Sequence, residues 1–168
     1  LDGEKPFLNR IFNSPPSWKE NMTTDAKDLA NLYVKVLDTE GLKSEIDDDN
    51  DVVFKYPEMG TLYFSLDSND PEFMRLVFPN FADQELTDGD LPKLLRLIND
   101  VNLKNKAVKL YVRAKDGEAN ISASIECFVA EQNKAPTLDH LNAIFKRCMS
   151  AMRAGIQTLV KASREDSV

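Results

Sequence analysis

From Thr24 onward the apolar residues follow two rhythms, and the switches between them divide the chain into elements. Leu29, Leu32, Tyr33, Val36 and Leu37 recur at helical spacing, Asp25 and Asp28 sit in the electropositive first turn, and Gly41 supplies a C-terminal stop. This predicts a first helix. Four short segments then keep a two-residue period, near 43–48, 52–57, 60–67 and 73–79, divided by Asp49-Asn50, by 57–60 and by 67–71. Neighbours this close pair as antiparallel hairpins, because parallel pairing needs crossovers of roughly a dozen residues.

Asp90 caps a second predicted helix, with Pro92 tolerated in its first turn and Leu91, Leu94, Leu95, Ile98 and Val101 forming one stripe that ends near Asn102. The clearest hairpin follows. Val108, Leu110, Val112 and Ala114 alternate with Lys109, Tyr111, Arg113 and Lys115; Asp116-Gly117 turns; Ile121, Ala123, Ile125 and Cys127 alternate again. A two-residue turn pairs Val112 with Ile121, Leu110 with Ala123 and Val108 with Ile125, and sets Lys115 opposite Glu118. Thr137 starts a last helix whose apolar residues, from Leu138 to Val160, line one side. Its predicted length of roughly 25 residues would reach about 38 Å, which predicts that part projects or meets a second subunit in a homodimer.

The expected architecture is an α+β fold: an antiparallel sheet of five to six strands, helices packed on one face, in the order α-β-β-β(β)-α-β-β-α. Residues 1–22 lack either period, mixing Phe7, Leu8, Ile11, Phe12 and Trp18 with three prolines, and read as an extended N-terminal arm whose aromatics lie against the domain or a partner. A single domain over 23–163 and a tail over 164–168 complete the expected organisation. The chain begins at Leu1, so a processed or shortened N-terminus is also an expectation.

Composition narrows the function classes. The 168 residues carry 28 acidic and 21 basic side chains, a net charge of -7, and no apolar run approaches the roughly 20 residues a membrane helix needs. Two cysteines and one histidine are too few for a disulfide scaffold or an all-Cys/His zinc cluster; they favour a reducing, cytoplasmic setting.

The element order, with the segment Leu94-Leu95-Arg96-Leu97-Ile98-Asn99-Asp100-Val101-Asn102 leading into a hairpin and a long C-terminal helix, resembles the YbjN-like family of proposed bacterial sensory-transduction regulators. That family is structurally similar to type III secretion chaperones. The resemblance spans about residues 24–162 and rests on element order and the Leu-Ile-Asn-x-x-Asn helix end. It implies a compact, often dimeric, non-enzymatic module that binds protein segments or regulates, and it offers no catalytic residues to carry over.

Candidate chemistry is sparse. Asp47, Asp49 and Asp51 match EF-hand positions one, three and five, with Glu58 at twelve, but Val52 stands where the sharp turn needs glycine and the flanks read as strands. An acidic hairpin tip with Asn50 in the turn is expected, with weak divalent-cation binding at Asp47–Asp51 the alternative. His140 and Cys127 have no spacing that makes them a nucleophilic pair, and a Cys127–Cys148 bridge is conceivable but not predicted. Asp83 and Glu85 are assigned to a loop, Asp88 and Asp90 to a helix cap. No glycine-rich phosphate loop, GxSxG elbow or HExxH occurs, so no catalytic, metal or cofactor site is assigned.

The strand phase is more informative. With Leu62, Phe64, Leu66, Met74, Leu76, Phe78, Val108, Leu110 and Val112 facing the helices, the opposite face presents Lys55, Tyr63, Ser65, Arg75, Lys109, Tyr111, Arg113, Ser122 and Ser124. Lys55, Tyr63, Arg75, Lys109, Tyr111 and Arg113 are therefore the candidate partner-binding residues, since exposed Tyr and Arg anchor interfaces. The leading expectation is a protein-binding or chaperone-like regulatory module of a bacterial cell, using this face or the long helix. Single-stranded nucleic acid, stacked on Tyr63 and Tyr111, is the alternative, and the net charge argues against it.

Overall fold

A computed structural model of the chain describes residues 24–85, 90–132 and 134–165. The predicted arm over 1–22, and Asp88, lie outside the described residues. Helix α1 (Ala26–Thr39) begins where Asp25 accepts hydrogen bonds from the amides of Lys27 (2.9 Å) and Asp28 (3.1 Å). It stops at Gly41, which takes φ 71° while the Leu42 amide reaches back to the Leu37 carbonyl. Strands β1 (Ser44–Ile46), β2 (Val52–Tyr56), β3 (Gly60–Ser65) and β4 (Phe73–Glu85) follow, then α2 (Asp90–Lys104), β5 (Val108–Lys115), β6 (Glu118–Phe128) and α3 (Leu138–Glu165).

The six strands form one antiparallel sheet in the order β1-β2-β3-β4-β6-β5. The β5–β6 register is the one the Asp116-Gly117 turn dictates: Val112 meets Ile121, Leu110 meets Ala123 and Val108 meets Ile125. Asp116 and Gly117 both have positive φ, 53° and 84°, as a two-residue turn of this hand requires. Lys115 stands opposite Glu118 in register, yet its ammonium lies 3.8 Å from the Asp116 carboxylate instead. Asn50 takes φ 64° at the acidic tip, the left-handed geometry that asparagine tolerates.

Strand β4 corrects the reading that ended it at residue 79. It runs to Glu85, so Asp83 and Glu85 belong to a strand, paired with Asn120 and Glu118. The pattern hid this because the register shifts between Phe78 and Ala82, where Pro79 and a left-handed Asn80 interrupt the period. Ser122 holds the irregularity: its hydroxyl accepts the Asn80 amide (2.9 Å) and donates to the Asn80 side-chain carbonyl (3.3 Å).

All three helices pack on one face. Buried Leu29, Tyr33, Val36 and Leu37 of α1, Leu94, Ile98 and Val101 of α2, and Leu141, Phe145, Met149, Met152 and Leu159 of α3 meet the inner-facing strand residues, Leu110 among them at 2% exposure. An aromatic cluster marks the centre, with Tyr33 and Phe64 rings 4.8 Å apart and Phe145 within 6.1 Å of both Phe54 and Phe64. At 28 residues α3 is about 42 Å long. Its apolar run is nevertheless spent inside its own chain. Lys146 reaches Glu40 (3.3 Å), Arg153 stacks over Tyr56 (5.1 Å), and Thr158 donates to Asn105 (3.2 Å), while Val160 stays exposed.

Two contacts fix the outer hairpin to the helices. Asn102 of α2 donates to the Leu110 carbonyl (3.0 Å) and accepts from the Leu110 amide (2.9 Å), acting as a one-residue strand on the sheet's free edge. Gly155 lets α3 approach β5: a β-carbon there would stand 2.4 Å from Val108 Cγ1.

Replacing Asn102 with alanine strands both Leu110 backbone groups and should cost about 1–3 kcal/mol in urea denaturation. Gly155→Ala should destabilise, because overpacking of about 1–3 kcal/mol outweighs a helix-propensity gain of about 1 kcal/mol. In a Val108→Ala background the sign should reverse. A Gly155→Ala change that destabilises equally in both backgrounds would remove the steric explanation.

Candidate functional site

The face away from the helices is built by the period-two alternation of β2 to β6, and its central row is Val53–Tyr63–Val77–Ser124–Lys109, read across the sheet. Val77 and Ser124 are buried, as is Ser122 in the neighbouring row beside Tyr111. Their cross-strand neighbours Tyr63, Lys109 and Tyr111 carry the larger side chains. Tyr63 and Tyr111 are half-buried; Arg75, Lys109 and Arg113 are exposed.

The structure places all six sequence-predicted residues on this face but does not treat them alike. Tyr63, Tyr111, Arg75 and Arg113 share one neighbourhood. Burial raises the Tyr63 hydroxyl above the ordinary tyrosine value, Tyr111 and Asp51 add to the rise, and Arg113 and Arg75 oppose it. Lys55, exposed and opposite Thr61, stands apart on the β2–β3 side.

The largest departure from the expected basic surface is Glu126. One oxygen, Oε1, lies 2.6 Å from Lys109 Nζ and 3.3 Å from Arg75 Nε, and accepts the Ser124 hydroxyl at 3.0 Å. Partial burial pushes its pKa up, but the Lys109 and Ser124 hydrogen bonds and the charges of Lys109 and Arg75 bring it below the ordinary glutamate value. One carboxylate is thus shared by two of the four predicted cations, which leaves the three groups together with a single net positive charge. Glu126 shares the phase of Ser122 and Ser124, so its outward direction was readable; its position opposite Arg75 depends on the β4–β6 pairing, which links residues about fifty apart.

A second feature was missed. At the end of the same face Phe73 stands opposite Phe128, ring edge to ring at 5.5 Å and 68°, and Phe128 is 75% exposed. The pair borders a cavity of about 570 Å³ whose other lining residues are Asp70, Glu72, Ala130 and Gln132. An inward Cys127 implies an outward Phe128, which is the signal that could have found it.

The acidic tip is organised by its own backbone. Asp47 Oδ1 accepts the amides of Asp49 and Asp51 at 3.0 Å, and Asp51 Oδ1 accepts the Leu66 amide at 2.8 Å. Among the described residues no group of three or more His, Cys, Asp and Glu side chains is arranged to hold a metal ion, and no helix is long and apolar enough to cross a membrane. His140 lies in the first turn of α3, exposed, its amide donating to the Thr137 hydroxyl at 3.3 Å.

No protein-family model matches the chain, and comparison with curated proteins gives no match. Solved structures share its fold. YbjN from E. coli, described as a candidate transcription regulator, matches with a TM-score of 0.56 at 11% identity, over 81% of this chain and 92% of YbjN. An uncharacterised protein from Methanothermobacter thermautotrophicus matches with a TM-score of 0.50 at 16% identity, over 79% of this chain and 97% of that one. The α+β architecture is therefore that of YbjN, as the sequence resemblance implied.

Because Glu126 is depressed in the folded state, its stabilisation is complete above its ordinary value of 4.5 and is lost as pH falls through the lower folded value. Glu126→Gln should cost about 1 kcal/mol at pH 7 and progressively less as the pH is lowered below 4.5. Urea denaturation of both proteins across that range measures the difference; a loss that does not change with pH would show that the ion pairs do not act.

Proposed function

We propose that the protein is a non-enzymatic binding module of regulatory type, which takes a protein segment on the sheet face its helices leave uncovered. The observation that carries this reading is the one-sided packing: among the described residues no helix covers the face that carries Tyr63, Tyr111 and Arg113 and, at its end, the exposed Phe128 with its cavity. Aromatic and arginine side chains are the usual anchors of protein interfaces. The fold shared with YbjN, itself described as a candidate transcription regulator, supports a regulatory role, and a chaperone-like capture of a partner segment fits the same face.

Charge selects the partner class. The Glu126 carboxylate is shared by Arg75 and Lys109, which lowers the positive charge of this face, and the chain as a whole is at -7, so a polyphosphate ligand meets an unfavourable long-range field. A segment that offers apolar side chains and a carboxylate for Arg113 suits it better.

The test compares wild type with a Tyr63→Ala/Tyr111→Ala/Arg113→Ala variant whose melting temperature is unchanged. Co-purification from cells of the source organism, followed by titration of each recovered partner, should show affinities falling tenfold or more in the variant. Identical partner lists and affinities would exclude this face. A low-salt mobility shift with oligo-dT that the same substitutions abolish would replace the protein reading with single-stranded nucleic-acid binding.

A further inference from the structure

The two cysteines, for which the sequence makes a bridge conceivable without predicting one, come together. Cys127 sits at the inner-facing end of β6 opposite Met74, and Cys148 lies on the core side of α3. Met74, Cys148 and Tyr33 line one small internal cavity, and the two thiols are in hydrogen-bonding contact while both remain reduced. Tyr33 feels both sulfurs, and its buried hydroxyl has no hydrogen-bond partner. The thiols join different elements, so a bond between them would pin the first half of α3 to the end of the sheet.

We propose that Cys127 and Cys148 form a dithiol site that low-molecular-weight disulfides oxidise to an intramolecular disulfide.

The two thiols differ in the ways such a reaction needs. Cys127 is partly exposed, next to the open Phe128 end of the sheet; Cys148 is buried. The hydrogen bond from Cys148 brings the Cys127 thiol down to about 7 against the opposing effect of burial, whereas Cys148 is pushed up by its contact with Cys127 and by burial. Near neutral pH Cys127 is thus the nucleophile and Cys148 the resolving thiol. Cys127 thiolate attacks one sulfur of the small disulfide, forming a mixed disulfide and releasing one equivalent of small thiol. Cys148 then loses its proton and displaces the second small thiol from Cys127. The protein gives up two electrons and two protons; the small disulfide takes them up as two thiols.

The experiment incubates the native protein with oxidised glutathione at pH 7.5, then denatures it, alkylates free thiols and maps peptides by mass spectrometry. Wild type should lose two hydrogens, resist alkylation and yield a linked peptide containing Cys127 and Cys148. Cys148→Ser should instead trap glutathione on Cys127, and Cys127→Ser should leave Cys148 unmodified. Should either serine variant fail to fold, the wild-type peptide map alone decides. Two alkylatable thiols in the native wild type, or a mixed disulfide that never resolves, would overturn the proposal, as would a linkage formed only after unfolding in urea.

Discussion

The constraint on which the rest of this structure depends is that the sheet has one oily face. Each strand donates alternate residues to it, and a surface lined by Phe54, Leu62, Phe64, Leu76, Leu110 and Ile125 can leave water only beneath another layer. Three amphipathic helices supply that layer, and all three must lie on the same side. Among the described residues the opposite face is left without a helical cover as a consequence. Central β4 and β6 place Val77, Ser122 and Ser124 on that face, beside the larger Tyr63 and Tyr111.

Local alternation made much of this readable. A two-residue Asp-Gly turn leaves little freedom in register, so the β5–β6 pairing could be written down before any coordinates, and the inward Leu110 with outward Lys109 and Arg113 followed from it. Arrangements that depend on distant residues were not readable. Strand β4 continues past Pro79 because Ser122, forty-two residues away, absorbs the bulge at Asn80. Gly155 looks like a weak helical position until Val108 is seen against it, and the contact of Cys127 with Cys148, conceivable from their shared inward phase, is decided only where α3 crosses β6. Local periodicity states which way a side chain points; the side chain it meets is decided by how the elements pack.

The same distinction governs the electrostatics. Counting cations along the outward positions gives a basic face on an acidic protein, and that count is correct. It overlooks that one carboxylate, Glu126, lies between two of them with a serine hydroxyl completing its contacts. A pair held on a sheet surface with some burial is screened less than a free surface pair, so the cancellation is local and persists at moderate salt. What the face presents is therefore aromatic surface and the Arg113 guanidinium, with Arg75 and Lys109 sharing Glu126.

The edges of the sheet are poor templates for strand addition. A partner that extends a sheet needs a run of free amides and carbonyls along an outer strand. On the β5 side Asn102 already occupies the amide and carbonyl of Leu110, the third of the strand's eight residues. On the other side β1 is three residues long, ending in an acidic tip whose Asp47 side chain folds back on its own backbone. Neither edge presents a long uninterrupted template. The Asn102 side chain that ends the Leu-Ile-Asn-x-x-Asn segment thus has a structural meaning: it joins α2 to the outermost strand and interrupts that edge as a template for a further strand.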